Sequence, residues 1–218
     1  MGSRDELRSS LEKDGKQSKR AISHSRAYHR FFEGYSEITV PNPNGKRTRI
    51  QRIYTGDYYR QDLTKGQRIL LRVLHVALFL SVAYLFVSSA VLPLASNSTW
   101  YVVLSEVLSL PFLFWVVIAL FSYLSAGRDM TIHEYRSSSL ALQKATLGAA
   151  LSLGIAALAT LAFMLLNLSD EPLVVLVCAV KYIAAALFAL SMNRVEKKVN
   201  YLKIPSQNKP PANGNEIK

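Results

Sequence analysis

Four long stretches of mostly apolar residues, separated by short polar connections, occupy the middle of the chain. They lie at about residues 69–92, 100–124, 139–166 and 172–192. A helix that rises about 1.5 Å per residue needs about 20 apolar residues to cross a hydrocarbon layer of about 30 Å. The pattern therefore predicts an all-α integral membrane protein, in which residues 65–193 form a four-transmembrane-helix bundle.

The segment before the first apolar stretch divides into two parts. Residues 1–27 are polar and contain few apolar side chains, so we expect a disordered basic tail. Residues 28–64 interleave tyrosine and phenylalanine with basic residues, which indicates a cytoplasmic aromatic and basic segment. Within it, the β-branched runs 37–40 and 49–54 flank a Pro-Asn-Pro-Asn-Gly turn, a pattern that is typical of a short β-hairpin.

The segment after the last apolar stretch, residues 194–218, is also basic. We expect the fourth helix to continue for a short distance with Glu196, Lys197 and Lys198 in solvent. Prolines at 205, 210 and 211 then indicate a second disordered tail.

The charge distribution predicts the orientation of the helices. The net charge is +11, and residues 1–68 together with residues 193–218 account for all of it. The connection at 95–99 is uncharged, whereas the one at 125–137 contains Arg128 and Arg136. Because Lys and Arg in short loops stay on the cytoplasmic side, we expect both termini and the middle loop to be cytoplasmic.

The same charges bear on location and partners. A pI near 9.8 could favour nucleic acid in a soluble protein, but basic residues beside membrane spans usually bind anionic lipid headgroups instead. We therefore predict a multi-pass protein of a plasma membrane, with a bacterial cell membrane favoured, that contacts anionic lipid and not nucleic acid.

Glu106 and Lys181 are the ionisable residues deepest in the predicted spans. Their expected depths differ by about 5 Å, a distance that a lysine side chain can cover. A buried pair at this level would suit the substrate or proton site of a small transporter or channel subunit, since intramembrane charges are costly and mark pathways. The alternative is that the two residues only fasten two helices or reach the outer headgroups.

Three further polar residues, Arg72, His75 and Lys144, lie near the predicted inner ends of the first and third spans. His75 and Lys144 could form a proton relay, but we expect all three residues to anchor the helices at the inner interface, because each lies close to the membrane boundary.

The third apolar stretch has a face of small residues at helical spacing. Small side chains let helix backbones approach closely, which is how helices associate in lipid. We therefore expect this helix to be the packing centre of the bundle, through the following residues: Ala145, Gly148, Ala149, Ser152, Ala156 and Thr160.

Motifs for catalysis or cofactor binding are not evident in the sequence. The single cysteine, Cys178, cannot form an internal disulfide. The histidines lack metal-site spacing, and Ser137–Ser139 resembles helix-cap material, since no G-x-S-x-G surrounds it. Asn97-Ser-Thr99 and Asn167-Leu-Ser169 match the glycosylation acceptor pattern in the two predicted outer turns. We expect a protein that is not an enzyme and has no cofactor.

The sequence leaves two function classes open. The favoured one is an accessory, assembly or interaction subunit of a membrane complex, which uses its cytoplasmic segment and small-residue faces to contact a membrane-protein partner or a second copy. The alternative is a small transporter or channel subunit that uses Glu106 and Lys181.

Overall fold

The computed structural model describes residues 33–41, 48–166 and 172–206. Four long helices dominate these residues: α1 (Lys65–Ala90), α2 (Trp100–Ser125), α3 (Ile132–Leu166) and α4 (Pro172–Lys197). Each is long and apolar enough, by length and composition, to cross a membrane. The predicted tail at 1–27, the hairpin turn at 42–47, the Asn167 acceptor and the chain beyond 206 lie outside the described residues.

Two of the helices begin before their apolar stretches because polar caps start them. Thr64 caps α1, and its hydroxyl accepts from the Gln67 backbone N–H while the Gln67 side chain accepts from the Thr64 N–H. Thr131 and Glu134 form the same capping box at the start of α3. Helix α3 therefore starts at Ile132 instead of near 139, and its second turn, Arg136–Leu140, is π-helical.

The helices pack side by side in the order α1, α4, α3, α2, and we call these four packed helices the bundle. Helix α3 has extensive contacts with both α4 and α2, whereas α1 and α2 barely touch. Between α1 and α2 lies an open groove of about 200 Å³ with an entirely apolar lining.

Half of the buried residues in the main core of the bundle are alanines, and large apolar side chains cover its outside. Ala145, Ala149 and Ala156 are at most 1% exposed, whereas Leu70, Phe121 and Leu165 are about 70–80% exposed. In a water-soluble helical protein, by contrast, most leucine and phenylalanine side chains lie in the core.

The predicted β-hairpin is confirmed. Strand β1 (Tyr35–Pro41) pairs antiparallel with β2 (Thr48–Tyr54), and Tyr35 lies opposite Tyr54 at the base. Gly34 precedes β1 with φ of 84°, and its carbonyl accepts from the N–H groups of Thr55 and Gly56. The Tyr54 hydroxyl accepts from the Ile132 N–H, 3.1 Å away, so the hairpin base is attached to the start of α3.

A second sheet, which the sequence did not predict, covers one end of the bundle. Its central strand is β3 (Tyr58–Gln61), with β4 (Asp129–Met130) on one side and β5 (Tyr201–Ile204) on the other, all antiparallel. The strands come from the segments before α1, between α2 and α3, and after α4. Tyr201–Ile204 thus form a strand where we expected the helix extension to give way to a disordered tail.

Ion pairs and stacked rings hold this sheet, which we call the cap sheet. Arg60 donates from Nε and Nη2 to the two carboxylate oxygens of Asp129, at 2.5 and 2.9 Å. The Arg60 guanidinium lowers the pKa of Asp129 by this hydrogen bonding. The ring of Tyr135 stacks on Tyr59 and also contacts Tyr201, with centroids 4.6 and 4.8 Å apart, so α3 packs against two strands.

Candidate functional site

Glu196 lies where the cap sheet meets the bundle, and its side chain has no solvent exposure. The prediction that it points into solvent is wrong. Helix α4 ends one residue later, and the chain turns back through Val199, whose N–H donates to the Glu196 carbonyl. Strand β5 then brings Tyr201 over the Glu196 side chain. A buried carboxylate is costly unless it is paired and hydrogen-bonded, so its partners define the site.

Two hydroxyl groups donate to the same carboxylate oxygen. Ser139 Oγ and Tyr201 Oη each lie 2.6 Å from Glu196 Oε1. Ser139 belongs to the π-helical turn of α3, so Ser137–Ser139 lies within a helix and does not cap one. Such turns are often found at functional sites.

His75 faces the other carboxylate oxygen. Its ring is fully buried, and Nε2 lies 3.8 Å from Glu196 Oε2. The other ring nitrogen, Nδ1, is 2.8 Å from the Leu71 carbonyl oxygen, one turn earlier in α1. Neither His75 Nε2 nor Glu196 Oε2 has a hydrogen-bond partner among the described residues. His75 is therefore buried inside the protein, at the end of the bundle that the cap sheet covers.

Gln61 and Tyr123 complete what we call the Glu196 cluster: Gln61, His75, Tyr123, Ser139, Glu196 and Tyr201. Gln61 Nε2 donates to the hydroxyls of Tyr201 and Tyr123, at 3.0 and 3.4 Å. The cluster thus joins all four helices to strands β3 and β5. Burial, together with the Glu196 carboxylate, raises the pKa of Tyr201, which keeps this hydroxyl a neutral hydrogen-bond donor.

Arg72 and Lys144, which were also predicted to lie near the inner ends of the spans, do not belong to the Glu196 cluster. Arg72 donates from Nη2 to the Ala126 carbonyl oxygen, 2.6 Å away, and so links α1 to the end of α2. Lys144 is exposed on α3. Near it, the buried Asn193 donates to the Gln143 carbonyl oxygen at 2.5 Å, which ties α4 to α3.

Glu106 and Lys181 lie toward the opposite end of the bundle and have different partners. Glu106 Oε1 accepts from the Tyr182 hydroxyl at 2.6 Å. Lys181 Nζ donates to the Ser88 carbonyl oxygen at 3.4 Å. Between these groups and the Glu196 cluster most of the core side chains are apolar, such as Val82, Leu153 and Ala185.

The small-residue face of α3 lies in the bundle interior. Five of its six residues are buried, and the sixth, Gly148, is partly exposed. The hydroxyls of Ser152 and Thr160 donate to carbonyls of their own helix, those of Ala149 and Ala156, and so need no partner on another helix.

Asn97, in the first predicted glycosylation pattern, caps the end of α1. Its Nδ2 donates to the carbonyl oxygens of Ser89, Ala90 and Leu92, at 2.9, 3.3 and 2.9 Å. Ser89 and Ala90 belong to the last turn of α1, whose carbonyls a helix end leaves without intrahelical partners. The amide nitrogen that a glycan would modify is therefore engaged in the structure.

This cap gives a testable prediction. Replacing Asn97 with alanine removes an amide group whose two hydrogens are shared among three carbonyl oxygens, so we expect the free energy of unfolding to fall by about 1–2 kcal/mol. Replacing the exposed neighbour Ser98 with alanine should change it by less than about 0.5 kcal/mol. Denaturant titration in mild detergent measures both. Equal stabilities of the two variants would contradict the capping role.

In the described parts of the chain, no group of three or more His, Cys, Asp or Glu residues could hold a metal ion. No protein-family model matches the chain, and no curated protein or solved structure shows significant similarity to it.

Proposed function

We propose that this chain is a multi-pass membrane protein that serves as an accessory, assembly or interaction subunit and presents a folded platform on the cytoplasmic face of the membrane. The platform comprises the cap sheet and the β1–β2 hairpin. The observation that carries the proposal is that all three polar segments at one end of the bundle fold together, while the bundle interior is closely packed with small apolar residues.

The outer surface of the bundle supports the membrane location. Leucine, valine and phenylalanine side chains cover it, and an apolar surface of this extent is typical of contact with lipid or other helices. A helix of 26 residues is about 39 Å long, enough to cross a hydrocarbon layer with some tilt.

The charges support the orientation. The cap-sheet end contains Arg60, Lys65, Arg68, Arg128 and Lys203, whereas the connection from Val91 to Thr99 at the opposite end contains no charged residue. Basic residues in short connections remain in the cytoplasm, so the cap sheet and the segments that lead to both termini are placed there.

The interior argues for an interaction role over transport. The Glu196 cluster and the Glu106–Tyr182 pair are 14 residues apart along α4, from 182 to 196, which is about 21 Å. The buried side chains between them are mostly apolar, and the polar ones, Thr146, Ser152 and Asn193, donate to backbone carbonyls of α3. The groove between α1 and α2 is apolar as well, so it offers a polar substrate no hydrogen-bonding side chain.

The hairpin is the element most suited to contact a partner. It is attached at its base through the ring contact of Tyr35 and Tyr54, and the sequence around it, residues 28–64, contains six basic and four acidic residues. An isolated two-stranded ribbon is marginally stable in water, so a partner surface would stabilise it. The partner proposed here is another membrane protein whose cytoplasmic surface is acidic.

A shortened hairpin tests this proposal. Residues 38–51 are replaced by Asn-Gly, which closes a two-residue turn and keeps Tyr35 paired with Tyr54. We expect proteins that co-purify with the tagged full chain in mild detergent to be lost from this variant. A chain that ends at Ser206 serves as the control, because it loses another polar segment but keeps both sheets, and it should retain the partner.

Two results would contradict the proposal. One is a partner that binds the shortened hairpin as well as the full chain. The other is solute flux in reconstituted vesicles that disappears when Glu106 is replaced by glutamine, which would favour the transporter alternative.

A further inference from the structure

One side of α1 leads from the cap-sheet end of the bundle into the apolar groove between α1 and α2. Arg72, Phe79 and Phe86 are seven residues apart, which places them on the same side of a helix with 3.6 residues per turn. Arg72 reaches α2 through the Ala126 carbonyl, and Phe79 and Phe86 line the groove. A charged side chain therefore lies in line with the groove, at the end nearer the cap sheet.

Two further arginines lie at this end of the groove. Arg68 is one turn before Arg72, and its partly buried side chain has an Nε atom without a hydrogen-bond partner among the described residues. Arg68 and Arg128 both interact electrostatically with Asp129, so they lie near the same carboxylate. The two oxygens of that carboxylate already accept from Arg60. The other arginines thus supply positive charge that Asp129 does not neutralise.

The dimensions of the groove fit part of an acyl chain. The groove follows α1 from Phe79 to Val87, which is eight residues or about 12 Å. Its volume is about 200 Å³. An apolar cavity of about 150 Å³ is large enough to hold benzene, which has six carbon atoms. A helix with its side chains is about 10–12 Å across, so it would lie over the groove without filling it.

The depth of the groove agrees with a lipid whose headgroup lies at the arginines. Along α1, Phe79 is about 10 Å from Arg72 and Val87 is about 22 Å from it. One leaflet of the hydrocarbon layer is about 15 Å thick, which is half of the whole. An acyl chain that begins at the level of Arg72 would therefore enter the groove and end inside it.

We propose that an anionic phospholipid of the cytoplasmic leaflet binds at this site, with its phosphate at Arg68, Arg72 and Arg128 and one acyl chain in the groove. The site rests on the orientation proposed above, in which the cap sheet is cytoplasmic. Arginine N–H groups donate strong hydrogen bonds to phosphate oxygens, often in pairs. An anionic lipid matches both features of the site, because it carries the charge and the apolar chain in one molecule.

Native mass spectrometry of the full chain in mild detergent tests the choice of headgroup. The protein is titrated with dioleoyl phosphatidylglycerol and, separately, with dioleoyl phosphatidylcholine, which has the same acyl chains but no net charge. We expect the anionic lipid to bind at least about tenfold more tightly, because several basic residues near one anionic headgroup each add to the affinity. Equal affinities for the two lipids would overturn the proposal.

A pair of double variants locates the phosphate. Arg68→Gln with Arg128→Gln removes two of the three arginines and leaves the contact of Arg72 with α2 in place. We expect the affinity for phosphatidylglycerol to fall about tenfold or more. Arg194→Gln with Lys197→Gln removes the same charge from exposed positions on α4 and should have little effect. An equal loss in both double variants would indicate general attraction to a basic surface and would overturn the site.

A groove variant locates the acyl chain. Ala83 lines the groove, so Ala83→Phe fills part of it, whereas Ala77→Phe adds the same ring at an exposed position of α1 outside the groove. We expect only Ala83→Phe to weaken the binding of phosphatidylglycerol, by at least about fivefold. The same spectra report the mass of any dimer. A dimer that Ala83→Phe abolishes while lipid binding is unchanged would show that a second copy covers the groove, and would overturn the proposal.

The two kinds of variant are independent of each other and of the hairpin. The double variants decide the proposal on their own if Ala83→Phe does not fold. None of these substitutions alters the β1–β2 hairpin, so a failed lipid test leaves the partner test with the shortened hairpin intact, and the reverse also holds.

Discussion

Replacing Glu196 with alanine is expected to destabilise the folded protein by about 3–5 kcal/mol. Removing the shared acceptor of two buried hydroxyls leaves each donor unsatisfied, which costs about 1–3 kcal/mol apiece, and the missing side-chain atoms leave a cavity as well. Here the hydroxyls of Ser139 and Tyr201 would lose their shared acceptor, and His75 would lose its facing carboxylate. Denaturant titration in mild detergent, followed by circular dichroism, measures the loss.

The neighbouring residue provides a matched control for this variant. Lys197 is exposed in the same turn of α4, so its replacement by alanine should change stability by less than about 0.5 kcal/mol. Glu196→Gln should lie between the two, because it keeps an acceptor for both hydroxyls. If Glu196→Ala were as stable as Lys197→Ala, the cluster would not be a structural link.

Replacing Gly148 with alanine is expected to destabilise the bundle by about 1–3 kcal/mol. A Cβ atom at this position would lie 2.7 Å from Cε1 of Phe112 on α2, which is closer than carbon atoms approach in packed proteins. Phe112 is partly buried and packs against the core, so its ring can move away only by giving up some of those contacts. The free energy of unfolding in mild detergent reports the effect.

Gly154 is the control on the same helix. A Cβ atom there would meet nothing within 4 Å, so Gly154→Ala should be neutral or slightly stabilising, since alanine favours helix. Combining Gly148→Ala with Phe112→Leu should recover part of the loss, because the smaller side chain makes room. Equal stabilities of the two glycine variants would show that α2 and α3 are not closely packed at Gly148.

The apolar pattern predicted the four helices well, because the length and the composition of an apolar stretch are the properties that a membrane-spanning helix requires. It also predicted the β1–β2 hairpin, since β-branched runs on both sides of a Pro-Asn-Gly turn have few alternative structures. The cap sheet escaped prediction because β4 and β5 contain two and four residues. Strands this short have no periodicity of their own, and they form only because the helices bring their ends together.

Glu196 was misplaced because a glutamate near basic residues resembles a solvated helix end. A signal was nevertheless present. The buried residues of α4 follow a spacing of three and four, and the next step after Met192 falls on Glu196: Val175, Cys178, Tyr182, Ala185, Ala189, Met192. The same seven-residue spacing connects His75 to Val82 and Ser89 in α1. Extending each buried stripe by one step would have placed both residues in the interior.

The partners of Glu106 and Lys181 could not be read from depth alone. Their similar heights suggested a pair, but contact also depends on how each helix is rotated about its axis. In the structure, the Tyr182 hydroxyl donates a hydrogen bond to Glu106, and Lys181 donates one to the Ser88 carbonyl of α1.

Site-directed cysteine labelling tests the central claim, that the four helices cross the membrane with the cap sheet on the cytoplasmic side. In a Cys178→Ala background, single cysteines replace the exposed residues Ser98, Arg128 and Lys203. A membrane-impermeant maleimide added to intact cells should label the cysteine at 98, and should label those at 128 and 203 only after permeabilisation. Labelling of positions 98 and 128 from the same side would contradict the account.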